Sequence, residues 1–293
     1  MLWLLFGLLT ALFFALFHIF NKKYVAKSDA EYFAYIILVF STIAAIPLIL
    51  LLREKLVFNY YWLVGMIFIG IIIWITRVLY TKSLKVAEVS KTVPLLSITP
   101  LFTLIIAMVW LGEFPSPMGI TGIIVLISGI YLFNYQKGQG SIFEPFLLIF
   151  KNKGALLMFI VALIYGVGSV IDKFVINHSN PLSIILFNSA FASFFQTIYL
   201  SIKDKNYFIP KARKVIKENW RGGLVITVFF YLFITTQIYG ISLIHTVYII
   251  ALKRMSVLFV VIIAYFVFKE RKSFTYVLGG TILMLLGVVL MLF

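Results

Sequence analysis

Lys253 and Arg254 are the residues whose type and position could best do chemistry in this chain. They are adjacent cations inside an apolar run that begins at residue 246 and continues to Lys269. At about 1.5 Å per residue, Lys253 lies about 10 Å along the helix axis from the start of that run. A charge at such depth costs several kcal/mol unless it meets a partner or water. The pair is therefore expected to face a polar cavity, the competing reading being that both stems snorkel to the membrane surface. Neighbouring helix positions differ by about 100°, so the two side chains leave in different directions but can converge on one cavity. Ammonium and guanidinium donors together favour a carboxylate or phosphate. Arg77 is a third cation in an apolar run; it joins the site, snorkels, or pairs with Glu88.

Neutral polar residues extend the candidate set. Asn188, Gln196, Gln237, Ser97 and Thr99 can line a solute path or bond neighbouring helices. Tyr80 and Tyr239 occupy matching positions in two similar segments and could bring phenolic hydroxyls to a cavity or sit in an interfacial belt. Glu113 and Glu270 also recur, but at the ends of apolar runs, where charge is cheap. A structural or gating role is expected for them rather than substrate binding. Pro94 and Pro100 should bend their segment, free backbone carbonyls and act as hinges. Gly119, Gly122 and Gly129, like Gly279, Gly280 and Gly287, read as close-packing positions. No Asp or Glu falls within the expected spans, the histidines His18, His178 and His245 are scattered, and cysteine is absent. His18 is read as structural. No nucleophile, acid–base pair or metal set emerges, so neither catalysis nor a metal or other cofactor is expected.

Helices must position these residues within a membrane. Of the 293 residues, 63% are hydrophobic and 12% charged, with a mean hydropathy of +1.10. Soluble domains carry about 25% charge. Spans of roughly 20 apolar residues are expected at 2–20, 33–52, 60–81, 89–111, 117–135, 154–171, 182–202, 222–243, 246–268 and 274–293. Strands of a closed barrel would be about half as long and would alternate. The first span has no basic residue before it and is long for a signal-peptide core, so it is expected to remain in the mature chain.

The segment Leu101–Glu113 returns as Leu258–Glu270, sharing Leu, Phe, two Ile, Ala and Glu in register. Ile75–Leu84 matches Ile234–Leu243, and Asn21-Lys22 matches Asp172-Lys173. The chain thus reads as a first five-span unit over 1–135, a linker over 136–153 and a second unit over 154–293. Five is odd, so the second unit enters from the opposite side. The expected fold is an all-α integral membrane protein of ten helices in two inverted five-helix repeats, with a site near mid-bilayer between them.

Lys and Arg concentrate after odd-numbered spans, from Lys22 and Lys23 through the 203–221 stretch to Lys269, Arg271 and Lys272. The even connections hold Arg53, Lys55 and Lys173. This bias places the odd connections in the cytoplasm and both termini outside the cell membrane. It also accounts for the net charge of +15 through anionic lipid headgroups. No soluble basic domain exists for nucleic acid.

The ten spans in two units, the Leu111-Gly-Glu113 and Phe268-Lys-Glu270 endings, the Gly-bearing fifth spans and the Pro94–Pro100 segment together resemble the EamA family of the drug/metabolite transporter superfamily. The resemblance covers essentially the whole chain. It implies a secondary transporter of a small organic solute, an exporter or exchanger, with a central cavity and alternating access. The Lys253-Arg254 pair is similar to the phosphate-binding pair of the triose-phosphate translocators in the same superfamily, which adds phosphorylated metabolites to amino-acid-like or other anionic substrates. A proton-for-cation exchange like that of the small multidrug resistance relatives is disfavoured, because their membrane-embedded Glu has no counterpart in the first span.

Overall fold

The computed structural model describes residues 2–25, 28–86, 93–134, 152–256, 258–259 and 274–293, and among them there is no strand. The helices are α1 (Leu2–Val25), α2 (Ala30–Leu52), α3 (Tyr60–Val86), α4 (Thr99–Leu111), α5 (Pro117–Asn134), α6 (Lys153–His178), α7 (Pro181–Asp204), α8 (Phe208–Leu243), α9 (Thr246–Lys253) and α10 (Phe274–Leu290). Five stretches are long and apolar enough to cross a bilayer: Leu2–Val25, Ala30–Lys55, Tyr60–Val86, Lys153–His178, and Pro181–Leu243, which joins α7 and α8. Shorter apolar helices fall at Thr99–Leu111, Pro117–Leu132 and Gly279–Leu290. Large apolar side chains such as Ile105, Val109 and Trp110 of α4 are exposed, as suits a surface solvated by lipid.

Side-chain caps set several helix starts. The Asp29 carboxylate accepts from the Glu31 and Tyr32 amides at 2.9 and 3.2 Å, opening α2. Asn152 accepts from the Gly154 amide at 2.8 Å to open α6, and Asn180 from the Ser183 amide at 2.8 Å to open α7. Each satisfies N–H groups that a helix start leaves without partners. Pro181 follows Asn180 in the first turn of α7, where the missing N–H is not needed.

Helix lengths depart from the apolar windows. The helical backbone of α3 continues to Val86, and α6 continues through Asp172 to His178. The 36-residue α8 starts at Phe208, well before the apolar window at 222. A helix persists wherever backbone bonding and packing continue, whereas a hydropathy window closes at the first cluster of charges. The fourth segment is divided: a 3-10 turn over Val93–Ile98 precedes α4. Pro100 occupies the first turn of α4 and so initiates that helix instead of kinking it; Pro94 lies in the 3-10 turn. The ninth segment is divided too, because α9 stops at Lys253 and tightens through Arg254, whose amide reaches the Ala251 carbonyl at 3.0 Å. Leu96 and Ser97, the repeat partners of Lys253 and Arg254, lie in the 3-10 turn of the other copy. Glu88, Glu270, residues 136–151 of the linker, and residues 257 and 260–268 of the 246–268 span fall outside the described residues.

Packing between the first five helices and the last five is reciprocal. α1 packs on α8 as α3 does on α6, α2 on α8 as α3 on α7, and α4 on α6 as α1 on α9; α2 also meets α7, α4 meets α9 and α5 meets α10. Exchanging α1–α5 with α6–α10 reproduces every one of these pairs. Two lysines at matching positions act alike. Lys22 donates to the Leu84 carbonyl at 2.6 Å, and Lys173 to the Ile241 and Ile244 carbonyls at 2.8 and 3.1 Å. Each thereby satisfies carbonyls at the end of the third helix in its own unit.

Between α5 and α10, glycine packs against glycine. A Cβ on Gly122 would stand 2.6 Å from the Gly287 carbonyl oxygen, and one on Gly129 would stand 2.8 Å from that of Gly280. The pairing order shows that α5 and α10 run antiparallel. Backbone meets backbone there, so a larger side chain cannot be absorbed by a rotamer change. Gly129→Leu and Gly287→Leu should each cost about 1–3 kcal/mol or more. They should lower the melting temperature of the detergent-purified protein, whereas Gly279→Ala, which would meet only the Leu132 side chain at 3.3 Å, should leave it near wild type.

Candidate functional site

A cavity of about 70 Å³ lies between α3, α6, α7, α8 and α9. Its apolar wall comes from residues such as Ile72, Phe230, Phe233 and Ile250. Its polar wall contains Arg77 of α3, Tyr165 and Asp172 of α6, Asn188 of α7, Gln237 of α8 and the Lys253-Arg254 pair at the end of α9. Both halves of the chain contribute.

Lys253 is 4% exposed, and its ammonium donates to the Gln237 side-chain carbonyl at 2.6 Å. It also lies 4.0 Å from the centre of the Phe14 ring, 4.9 Å from Phe233 and 5.4 Å from Tyr165. Ring faces attract a cation, more strongly once water is excluded. Phe14 and Tyr165 stand at matching positions of α1 and α6, so the ammonium sits between equivalent points of the two halves. Arg254 is 2% exposed, and its Nε has no hydrogen-bond partner among the described residues. Arg77 is held between two rings, with its guanidinium carbon 4.8 Å from both Phe17 and Phe230. The snorkelling alternatives for these three cations are therefore not what the structure shows. The break after α9 is what allows the two adjacent residues to converge: Lys253 ends the helix and Arg254 begins the tighter turn.

The other candidates divide. Asn188 lines the cavity, fully buried, with its Nδ2 unpartnered among the described residues, and Gln237 lines it as the acceptor for Lys253. Tyr80 does not line it; the buried phenol bonds to His18 Nδ1 instead. Tyr239 does not either, being partly exposed and stacked on Phe6 at 6.1 Å. Matching sequence positions thus place these two tyrosines in different surroundings, because α3 and α8 present different faces at this level. Gln196 donates to the Glu31 backbone carbonyl at 2.7 Å, away from the cavity.

The expectation that no acidic residue falls within a span is corrected by two residues. Glu31 lies buried in the first turn of α2, where it holds Lys82 and Lys203, the latter at 2.6 Å. Asp172 lies inside α6 on the cavity wall, 9% exposed, and makes no hydrogen bond or ion pair with a described residue. Lys253 reaches it only through its field. Asp172 was hidden because the apolar window closed at Ile171, so Asp172-Lys173 read as a connection. Its match to Asn21, inside a helix in the other copy, was the available signal. Tyr165 carried none.

Glu113 has a defined position. Gly112, at φ +67°, ends α4 in the left-handed conformation and turns the chain back. The Glu113 carboxylate then accepts from the Thr246 amide at 2.8 Å and from its hydroxyl at 3.4 Å, with the Lys173 ammonium 3.7 Å away. His245, the residue before α9, makes no capping bond of its own. A carboxylate from the first half thus caps the helix of the second half that ends in Lys253 and Arg254, favoured by the positive helix N-terminus. The contact reaches across the two halves of the chain, a structural role for Glu113.

An apolar exterior and helices long enough to cross a bilayer mark a multi-pass membrane protein. The chain belongs to the EamA-like transporter family, whose profile matches residues 1–135 and 152–293, and so falls among the membrane transporters of the drug/metabolite type. A solved structure, described only as the crystal structure of a protein, superposes with a TM-score of 0.69 over 99% of this chain and 98% of its own, at 13% identity. At that identity the likeness concerns the fold. No curated protein matches the sequence.

Removing the Glu113 cap leaves the buried Thr246 amide without an acceptor, at a cost of about 1–3 kcal/mol. Glu113→Ala should lower thermal stability in detergent. Glu113→Gln, which keeps an acceptor oxygen but loses the charge beside Lys173, should fall between Glu113→Ala and wild type.

Proposed function

We propose that this protein is a secondary transporter of a small organic anion or anion-bearing metabolite, acting as an exporter or exchanger by alternating access around the α3–α6–α7–α8–α9 cavity. The observation that carries this reading is the burial of Lys253, Arg254 and Arg77 on one cavity with no carboxylate in ion-pair contact among the described residues. Three cations against Asp172 leave a formal surplus of two positive charges. A bound carboxylate or phosphate supplies both the missing charge and the missing acceptors. Phosphorylated metabolites belong to the same anionic class.

The ten-span inverted repeat is part of the proposal. Reciprocal packing, the antiparallel α5–α10 pair and the matching roles of Lys22 and Lys173 support it. In an inverted repeat, rocking one unit against the other exposes a fixed central site to each side in turn. The divided fourth and ninth segments, one beginning at Pro94 and Pro100 and the other ending at the cation pair, are natural hinges. The orientation follows from the Lys and Arg bias, with both termini outside the cytoplasm and the basic start of α8 against anionic headgroups. Membership of the EamA-like transporter family favours transport over catalysis as the role of this cavity.

In proteoliposomes, counterflow with succinate, glycerol phosphate, inorganic phosphate, neutral amino acids and an organic cation should show uptake of anion-bearing solutes and none of the cation. Lys253→Ala and Arg254→Ala should each reduce it by about tenfold or more, the loss of one charge-assisted contact. Unchanged uptake by the folded variants defeats the site assignment. A C-terminal reporter should signal from outside the cytoplasm; a cytoplasmic signal overturns the orientation.

A further inference from the structure

We infer that Asp172 is the selectivity residue of this site, and that it holds an ammonium group of the substrate while Lys253, Arg254 and Arg77 hold a carboxylate. The preferred solute is then a compact zwitterion with the charge pattern of an α-amino acid, not a simple dianion. This rests on the anion-transport reading above and narrows it.

The partition of hydrogen-bonding capacity around the cavity is the basis. Donors are in excess on α3, α7 and the end of α9: Arg254 Nε and Asn188 Nδ2 are both buried without partners among the described residues, and among those residues Arg77 is met by ring faces alone. The acceptor capacity is concentrated on α6, in the Asp172 carboxylate, which no described residue engages. Were Asp172 merely the counter-ion of Lys253, the two would be in contact. Lys253 bonds to Gln237 instead, leaving the carboxylate open toward the cavity. A buried carboxylate without a donor is costly, and in a site that must also hold an anion, a substrate ammonium is the donor that satisfies both sides. A dianion would answer the cations but face Asp172 with like charge.

Asp172→Asn is close in shape, and Asn21 occupies the matching position of α1, so the fold already accommodates the amide at this register. The measurement is counterflow into proteoliposomes with radiolabelled alanine, phenylalanine, succinate and inorganic phosphate, alongside the melting temperature of each variant. Wild type should prefer the amino acids. Asp172→Asn should lower their uptake by about tenfold or more and raise that of succinate and phosphate, reversing the preference, while Asp172→Glu should keep the wild-type order. Equal loss on every solute in folded Asp172→Asn makes the residue structural and overturns the inference. Wild-type uptake of succinate or phosphate without either amino acid also overturns it, while leaving the anion reading standing. Uptake of none of the four refutes both.

Discussion

Everything around the cavity answers one constraint: charge inside an apolar bundle costs several kcal/mol unless it is matched. Lys253 shows how the protein meets it. One side-chain acceptor, Gln237, and the faces of Phe14, Phe233 and Tyr165 replace part of the water that the ammonium has lost. Arg77 is held between Phe17 and Phe230 in the same way. Ring faces stabilise a cation without consuming its hydrogen-bond donors. The aromatic lining therefore keeps the cations in place without occupying their donors. A full set of carboxylate partners would have been more stabilising and would have closed the site.

The scaffold that maintains this arrangement works at a distance from it. Glycine contacts between α5 and α10 bring two backbones together, and no described residue of either helix lines the cavity. Glu113 joins the halves at Thr246, the start of α9, and seven residues later, about 10 Å at about 1.5 Å per residue, that helix delivers Lys253, with Arg254 next. A short, well-capped helix transmits position with little give. At the other end of the bundle Glu31 joins α2, α3 and α7 through Lys82 and Lys203. Contacts between the halves thus lie at both ends of the molecule, with the cavity between them.

Much of the architecture was legible in the residues because a bilayer imposes simple rules. Apolar length marks helices, and repeated residues such as Leu101–Glu113 and Leu258–Glu270 mark duplication. The cation pair was legible for a similar reason, since Lys253 and Arg254 violate the apolar pattern in mid-run. Asp172 was not, because it stands next to Lys173 at the edge of an apolar window and looks like the start of a loop. Tyr80 and Tyr239 misled in the opposite direction. Their positions match, but rotation of a helix by a fraction of a turn decides whether a side chain meets a cavity, a neighbour or lipid.

What the sequence determined by itself was the membrane class, the family, the duplication and the presence of buried cations, all of which depend on composition and local order. Only the tertiary structure decided which residues share the cavity, that Asp172 stands among them, and that Glu113 caps a helix of the other half. Those facts depend on where each α-helix ends and how it is rotated against partners up to more than a hundred residues away. Such quantities are set by packing between elements, and hydropathy along one chain does not encode them.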